Sequence, residues 1–131
     1  MSQENVEIVR AAYDAFNRGD RDVAFRDMHP DFEFAMQHAP NPGPHRGGKE
    51  ARARMEDGLA AYEAFSYELD DLRESGEQVV ALIRVRVRPK GTSAEAENRV
   101  GHVWTLRDGK VISLHLFRSR EQALEAAGLR E

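Results

Sequence analysis

Residues 100–117 read Val-Gly-His-Val-Trp-Thr-Leu-Arg-Asp-Gly-Lys-Val-Ile-Ser-Leu-His-Leu-Phe, and the way this stretch pairs with itself decides the fold. Two apolar runs rich in β-branched and aromatic residues flank Asp108-Gly109, a strong hairpin signal. Register is the open quantity, because a slip of one residue turns every side chain to the other face. A two-residue turn pairs Leu106 with Val111 and sets His102 opposite His115. A three-residue turn closing with Gly109 in a left-handed bulge pairs Leu106 with Lys110 instead. That second register places Val100, His102 and Trp104 on one face with Ile112, Leu114 and Leu116, and sends Gly101, Thr105, Ser113 and His115 to the other. It separates apolar from polar better and is the expected one. His102 is then the one ionisable group on an otherwise apolar face.

Upstream of the hairpin the alternation continues. Val79, Ala81, Ile83, Val85 and Val87 alternate with residues that include Arg84, Arg86 and Arg88, a long strand with one aliphatic face. Phe65, Tyr67 and Leu69 form a strand before it, and Phe32, Phe34 and Met36 another, which His38 would extend. Between the last two lies a loop dense in Pro and Gly (residues 39–48), long enough to suspect a functional cover. A helix then carries Ala51, Met55, Leu59 and Tyr62 on one stripe.

The N-terminal segment is helical. Val6, Val9, Ala12, Tyr13 and Phe16 recur at three- and four-residue steps, and Gly19 stops the helix. Asp20 can cap a short second helix in which Val23, Ala24 and Met28 face inward, ended by Pro30. At the other end, Ser119 with Gln122 is a capping box for a helix carrying Ala123, Leu124 and Ala127. Helices grouped before a run of long strands indicate an α+β domain, its helices packed on one face of a curved, mostly antiparallel sheet that leaves a small-molecule cavity.

The chain has 131 residues, 40% hydrophobic and 32% charged, with net charge -4 and no cysteine. This is a single domain over 1–131 with a full core. The acid excess gives no footprint for nucleic acid or an anionic membrane surface, and disulfide and thiolate chemistry are excluded. No apolar run approaches the ~20 residues that span a bilayer. Met1–Glu7 has no basic-then-apolar leader, so a cytoplasmic location is expected.

Three segments carry a family resemblance: Val9-Arg-Ala-Ala-Tyr-Asp-Ala-Phe-Asn-Arg-Gly-Asp20, His29-Pro-Asp-Phe-Glu-Phe34, and Val100–Val111, strengthened by Arg120–Leu129. Together the chain resembles the SnoaL-like polyketide cyclase group of the nuclear transport factor 2-like superfamily. The resemblance implies a cone-shaped, cystatin-like sheet wrapped around N-terminal helices, a hydrophobic pocket, a homodimer, and no cofactor. Activities across that group include isomerases, cyclases, dehydratases and epoxide hydrolases. Carried over residue by residue, the ketosteroid isomerase base falls on Met36, the first-helix oxyanion tyrosine on Ala12, and the second oxyanion donor on His102. A further acidic position of the family falls on Ser119. Proton abstraction of the ketosteroid isomerase kind is therefore disfavoured.

His102 is the expected polar centre, a buried imidazole able to donate or accept a proton, with His38 assisting. The expected ligand-binding residues are Tyr13, Phe16, Phe32, Phe34, Met36 and Met55, together with Leu59, Ile83, Val85, Trp104 and Leu114. Histidine spacing offers no metal site. The expected ligand is a small hydrophobic molecule, handled by an enzyme or held by a non-catalytic binding or dimeric interaction module. The outer sheet face, with Val103, Thr105, Val111 and the Arg84/Arg86 stripe, is the expected contact with a second subunit.

Overall fold

The computed structural model describes residues 2–36 and 43–129. Helix α1 (Ser2–Asn17) buries Val9 and Tyr13. It ends where Gly19 takes φ +82°, and Asp20 caps α2 (Arg21–Ala24) by accepting from the Val23 amide at 3.4 Å. The second helix is a single turn and does not reach Met28, because the sheet captures the chain first. The Val111 amide donates to the Asp27 carbonyl at 2.8 Å, and Met28 pairs with Val111 as β1 (Met28–Met36) begins.

The remaining elements are β2 (His45–Arg46), α3 (Gly48–Leu59), β3 (Tyr62–Ser75), β4 (Gln78–Pro89), β5 (Ala96–Arg107), β6 (Lys110–Phe117) and α4 (Arg120–Ala126). They form one six-stranded sheet ordered β2-β1-β6-β5-β4-β3. Only β1 and β6 run parallel; every other neighbouring pair is antiparallel. Tyr62, expected on the α3 stripe, instead opens β3. Register irregularities in β3 and β6 mark where the strands bend, and the curved, unclosed sheet wraps the N-terminal helices.

The hairpin corrects the expected turn and keeps the expected faces. Arg107 pairs with Lys110 and Leu106 with Val111, so the loop is the two residues Asp108 and Gly109. Their φ values of 52° and 77° are those of the hairpin turn that Asp-Gly suits best. The extra residue sits three positions beyond Gly109. Thr105 pairs with Ser113, which leaves Ile112 bulged out of register. Beyond that bulge the parity returns to the expected one: Trp104 pairs with Leu114, His102 with Leu116, and Val103 with His115. His102 and His115 thus lie on opposite faces, while Val111, expected outside, is 1% exposed in the inner core.

The terminal helix crosses to the other side, so the helices do not all share one face. Ala123, Leu124 and Ala127 of α4 pack on Val80, Leu82 and Val103 in a second cluster. Val103 is therefore covered by the chain's own helix and not left for a second subunit. Outside this patch the outer face is charged, with Arg84 on Asp70 and Glu68, Arg86 on Glu97, and Arg88 on Glu63. Exposed pairs of this kind contribute at most about 1 kcal/mol each.

His115 lies on the outer face beside Ala35 and Val103. Its Nε2 is enclosed, with no hydrogen-bond partner among the described residues. Burial holds its pKa below the ordinary imidazole value, against a smaller upward pull from Glu33. A base whose folded pKa is depressed favours the fold while neutral, so that contribution is present above the unfolded value of about 6.5 and declines as pH falls below it. His115→Gln is expected to flatten the loss of stability between about pH 7 and 5, read from denaturation midpoints. Parallel wild-type and variant curves would refute it.

Candidate functional site

A cavity of about 250 Å³ lies between α1, α3 and the concave face of the sheet. Strand alternation builds one side of it: Phe65 and Tyr67 from β3, Val85 and Val87 from β4, and Val100, His102 and Trp104 from β5. Phe16 of α1 completes the aromatic side, its ring centroid 5.0 Å from that of Tyr67 and 6.0 Å from that of Phe65. Met28, Met36, Met55, Leu59, Leu114 and Leu116 form the softer remainder. Among the described residues, no Asp, Glu, Lys or Arg reaches the wall.

The residues singled out from sequence divide cleanly. Tyr13, Phe16, Phe34, Met36, Met55, Leu59, Val85, His102, Trp104 and Leu114 all line the cavity. Phe32 and Ile83 do not; they are sealed in the core behind it, 1% and 0% exposed. His38 lies outside the described residues. Tyr67, Phe65 and Tyr62 were not expected at the site, although the Phe65-Tyr67-Leu69 alternation gave the first two their inward parity. What the alternation does not carry is that β3, the edge strand, curls across α1.

The polar centre is a directional chain. The Trp104 indole N–H donates to the Tyr13 hydroxyl oxygen at 2.9 Å, and Tyr13 Oη lies 2.6 Å from His102 Nδ1. With its oxygen accepting from the indole, the phenol passes its own proton towards Nδ1, which assigns the ring proton of His102 to Nε2. His102 is 4% exposed. Burial holds the Tyr13 phenol well above its ordinary pKa, against a smaller opposite effect of the Trp104 hydrogen bond. Burial likewise raises Tyr67, with Arg21 pulling weakly the other way. Both stay neutral phenols at physiological pH. Among the described residues, no cluster of three or more His, Asp or Glu side chains is placed to hold a metal ion.

Asn17, at the end of α1, fixes where β3 crosses. Its Nδ2 donates to the Tyr67 carbonyl at 2.7 Å, and its Oδ1 accepts from the Tyr67 amide at 3.0 Å. Tyr13 stands one helical turn earlier, so the two phenols are set against each other by this clamp, ring centroids 5.3 Å apart. Asn17→Ala is expected to cost about 1–2 kcal/mol, the value of two exposed hydrogen bonds. Urea denaturation checks this; a change below about 0.3 kcal/mol would show that the clamp contributes nothing.

No curated protein is significantly similar in sequence to the chain. Solved structures share its fold. A nuclear transport factor 2-like protein of unknown function from Burkholderia pseudomallei K96243 superposes with TM-score 0.80 at 22% identity, over 93% of this chain and 95% of that one. Another such protein, from Burkholderia xenovorans LB400, gives TM-score 0.74 at 29% identity over 97% of each chain. A proposed SnoaL-like polyketide cyclase from Jannaschia sp. CCS1 gives 0.76 at 22% identity, over 88% of this chain and 85% of that one. The profile of the SnoaL-like domain matches residues 9–114, spanning α1 to the β5–β6 hairpin, and the chain belongs to that family.

Proposed function

We propose that the protein binds a small, uncharged, largely apolar molecule in this cavity and that His102 is the polar group it meets. The observation that carries this reading is a wall of aromatic, methionine and aliphatic side chains that holds the His102 imidazole and the Asn98 amide and, among the described residues, no charged group. A charged ligand would lose its hydration there without finding a counter-charge. An apolar one gains about 25 cal/mol for each Å² it removes from water.

If the cavity also performs chemistry, the hydrogen-bond chain narrows the role of His102. With Nδ1 accepting from Tyr13, Nε2–H is a hydrogen-bond donor suited to polarising a ligand oxygen. Acting as a base at Nε2 would require the proton to move to Nδ1 and Tyr13 to turn its own hydrogen elsewhere. Met36 stands on the wall at the position a family carboxylate would occupy, which argues against abstraction of a proton by that route. Cyclase-, isomerase-, dehydratase- or epoxide-opening chemistry assisted by hydrogen bonding fits the site, and so does binding without turnover. Among the described residues no carboxylate lines the wall, which favours the latter.

Trp104 is the single tryptophan of the chain and lines the cavity, so its fluorescence reports occupancy. Titration with bromobenzene, a contact quencher, is expected to give saturable quenching; a purely linear collisional response would overturn the reading. A homodimer belongs to the same proposal. The outer surface around His115 and Ser113, clear of the α4 cluster, is where a second copy would seat. Sedimentation at micromolar concentration tests it, and a monomer there would refute it.

A further inference from the structure

Tyr67, like Tyr62, lines the cavity with a hydroxyl that takes no hydrogen bond from the described residues. The Tyr13 hydroxyl is held by Trp104 and His102. The hydrogen bonds of Tyr67 are all backbone ones, to Asn17, and its Oη has no partner among the described residues. Yet its ring is held on every side. Phe16 and Phe65 lie 5.0 Å away, Tyr13 lies 5.3 Å away, and His102 lies 5.4 Å away at 83° between ring planes. Tyr67 is half-buried and lines the cavity, and its Oη is not among the enclosed partnerless atoms of the described residues, so the hydroxyl is open to the cavity. The same hydroxyl becomes useful once a ligand atom bonds to it.

We infer that Tyr67 is a specificity-determining residue and that the ligand is an uncharged, oxygen-bearing compound, a phenol, alcohol or ketone, whose oxygen meets the Tyr67 hydroxyl beside His102. This rests on the cavity being a binding site, as proposed above. A phenol hydroxyl both donates and accepts, so it serves a carbonyl or a hydroxyl equally. It offers nothing to a hydrocarbon. Nor can it neutralise a carboxylate or an ammonium group in a wall that lacks counter-charge. The Asn17 clamp supplies the rigidity such discrimination needs, because it fixes the backbone of Tyr67 at both its amide and its carbonyl.

The test is calorimetric titration of the full chain with three probes of one shape: para-propylphenol, propylbenzene and para-propylbenzoate. The wild type is expected to bind the phenol about tenfold more tightly than the hydrocarbon and to give no saturable heat with the benzoate. Tyr67→Phe is expected to weaken phenol binding by about threefold to tenfold and to leave propylbenzene binding unchanged. Its melting temperature should not fall, since only an unpartnered oxygen is removed. Unchanged phenol affinity in Tyr67→Phe would overturn the assignment, and so would binding of the benzoate by the wild type. If the hydrocarbon binds and the phenol gains nothing over it, the role of Tyr67 fails while the cavity stands as a binding site. If none of the three probes binds, the cavity reading itself fails. The wild-type ranking tests the ligand class without depending on any variant.

Discussion

Gly101→Val is expected to lower stability by at least about 3 kcal/mol, enough to leave a domain of this size largely unfolded well below its normal melting temperature. Gly101 lies on β5, facing outward, where α4 crosses the sheet. A Cβ placed on it would come within 2.5 Å of the Ala123 Cβ and 3.3 Å of the Arg120 Cα. Backbone and a methyl group cannot swing aside, so the whole helix must lift. Lifting it uncovers Val80, Leu82 and Val103, which α4 otherwise buries with Ala123 and Leu124. Gly101→Ala should cost less, about 1–3 kcal/mol. Adding Ala123→Gly should recover part of that loss, against the roughly 1 kcal/mol price of glycine in a helix. Denaturant unfolding of wild type, Gly101→Ala, Ala123→Gly and the double variant reads the cycle, with Gly101→Val measured beside them. Gly101→Val within 1 kcal/mol of wild type would show that α4 does not seat as closely as described.

That contact also shows what one-dimensional pattern could not carry. The faces of β4, β5 and β6 were legible, because alternation over Val79–Val87 and Val100–Trp104 is a local property. The place of the bulge was not. Both a bulge at Gly109 and one at Ile112 deliver the same faces for His102, Trp104, Leu114 and Leu116, and only pairing distinguishes them. Val111 went to the wrong side for that reason, since it lies between the turn and the bulge. The short final helix was legible from Ser119, whose side chain accepts from the Gln122 amide at 3.3 Å. Its docking on the outer face was not, because an apolar stripe says that it is covered and not by what. Ten of the expected cavity residues do line the cavity, but Phe32 and Ile83 share their strand parity and sit in sealed core. Parity fixes the face; depth along the cone comes from where α1 crosses, which depends on the non-local Asn17–Tyr67 clamp. Tyr67 was missed as a cavity-lining residue for that same reason.

Tyr13→Phe is expected to cost about 2–4 kcal/mol although it removes a single oxygen and keeps the ring contacts with Trp104 and Tyr67. That oxygen serves two buried groups at once. Its loss leaves the Trp104 indole N–H and His102 Nδ1 without their partner, and each orphan costs about 1–3 kcal/mol. His102→Leu takes the acceptor from the Tyr13 O–H, an orphan that should cost about 1–3 kcal/mol. Of these groups the double variant leaves the indole N–H unpaired, so two of the three orphan penalties vanish and the effects should fall short of additivity by about 2–4 kcal/mol. The imidazole is therefore a core partner as well as the polar centre of the cavity, and removing it should reduce stability and oxygen-ligand preference together. Alkaline behaviour supplies an independent sign. Burial raises the folded pKa of Tyr13, so its stabilising contribution is present below the ordinary phenol value of about 10 and is lost as pH rises beyond it. Tyr13→Phe should remove that part of the alkaline loss and leave the part due to Tyr67, whose folded pKa is raised in the same direction. Denaturation curves at neutral and alkaline pH measure both effects. A Tyr13→Phe protein within 0.5 kcal/mol of wild type, with additive behaviour in the double variant, would mean that the Trp104–Tyr13–His102 chain does not hold the site together.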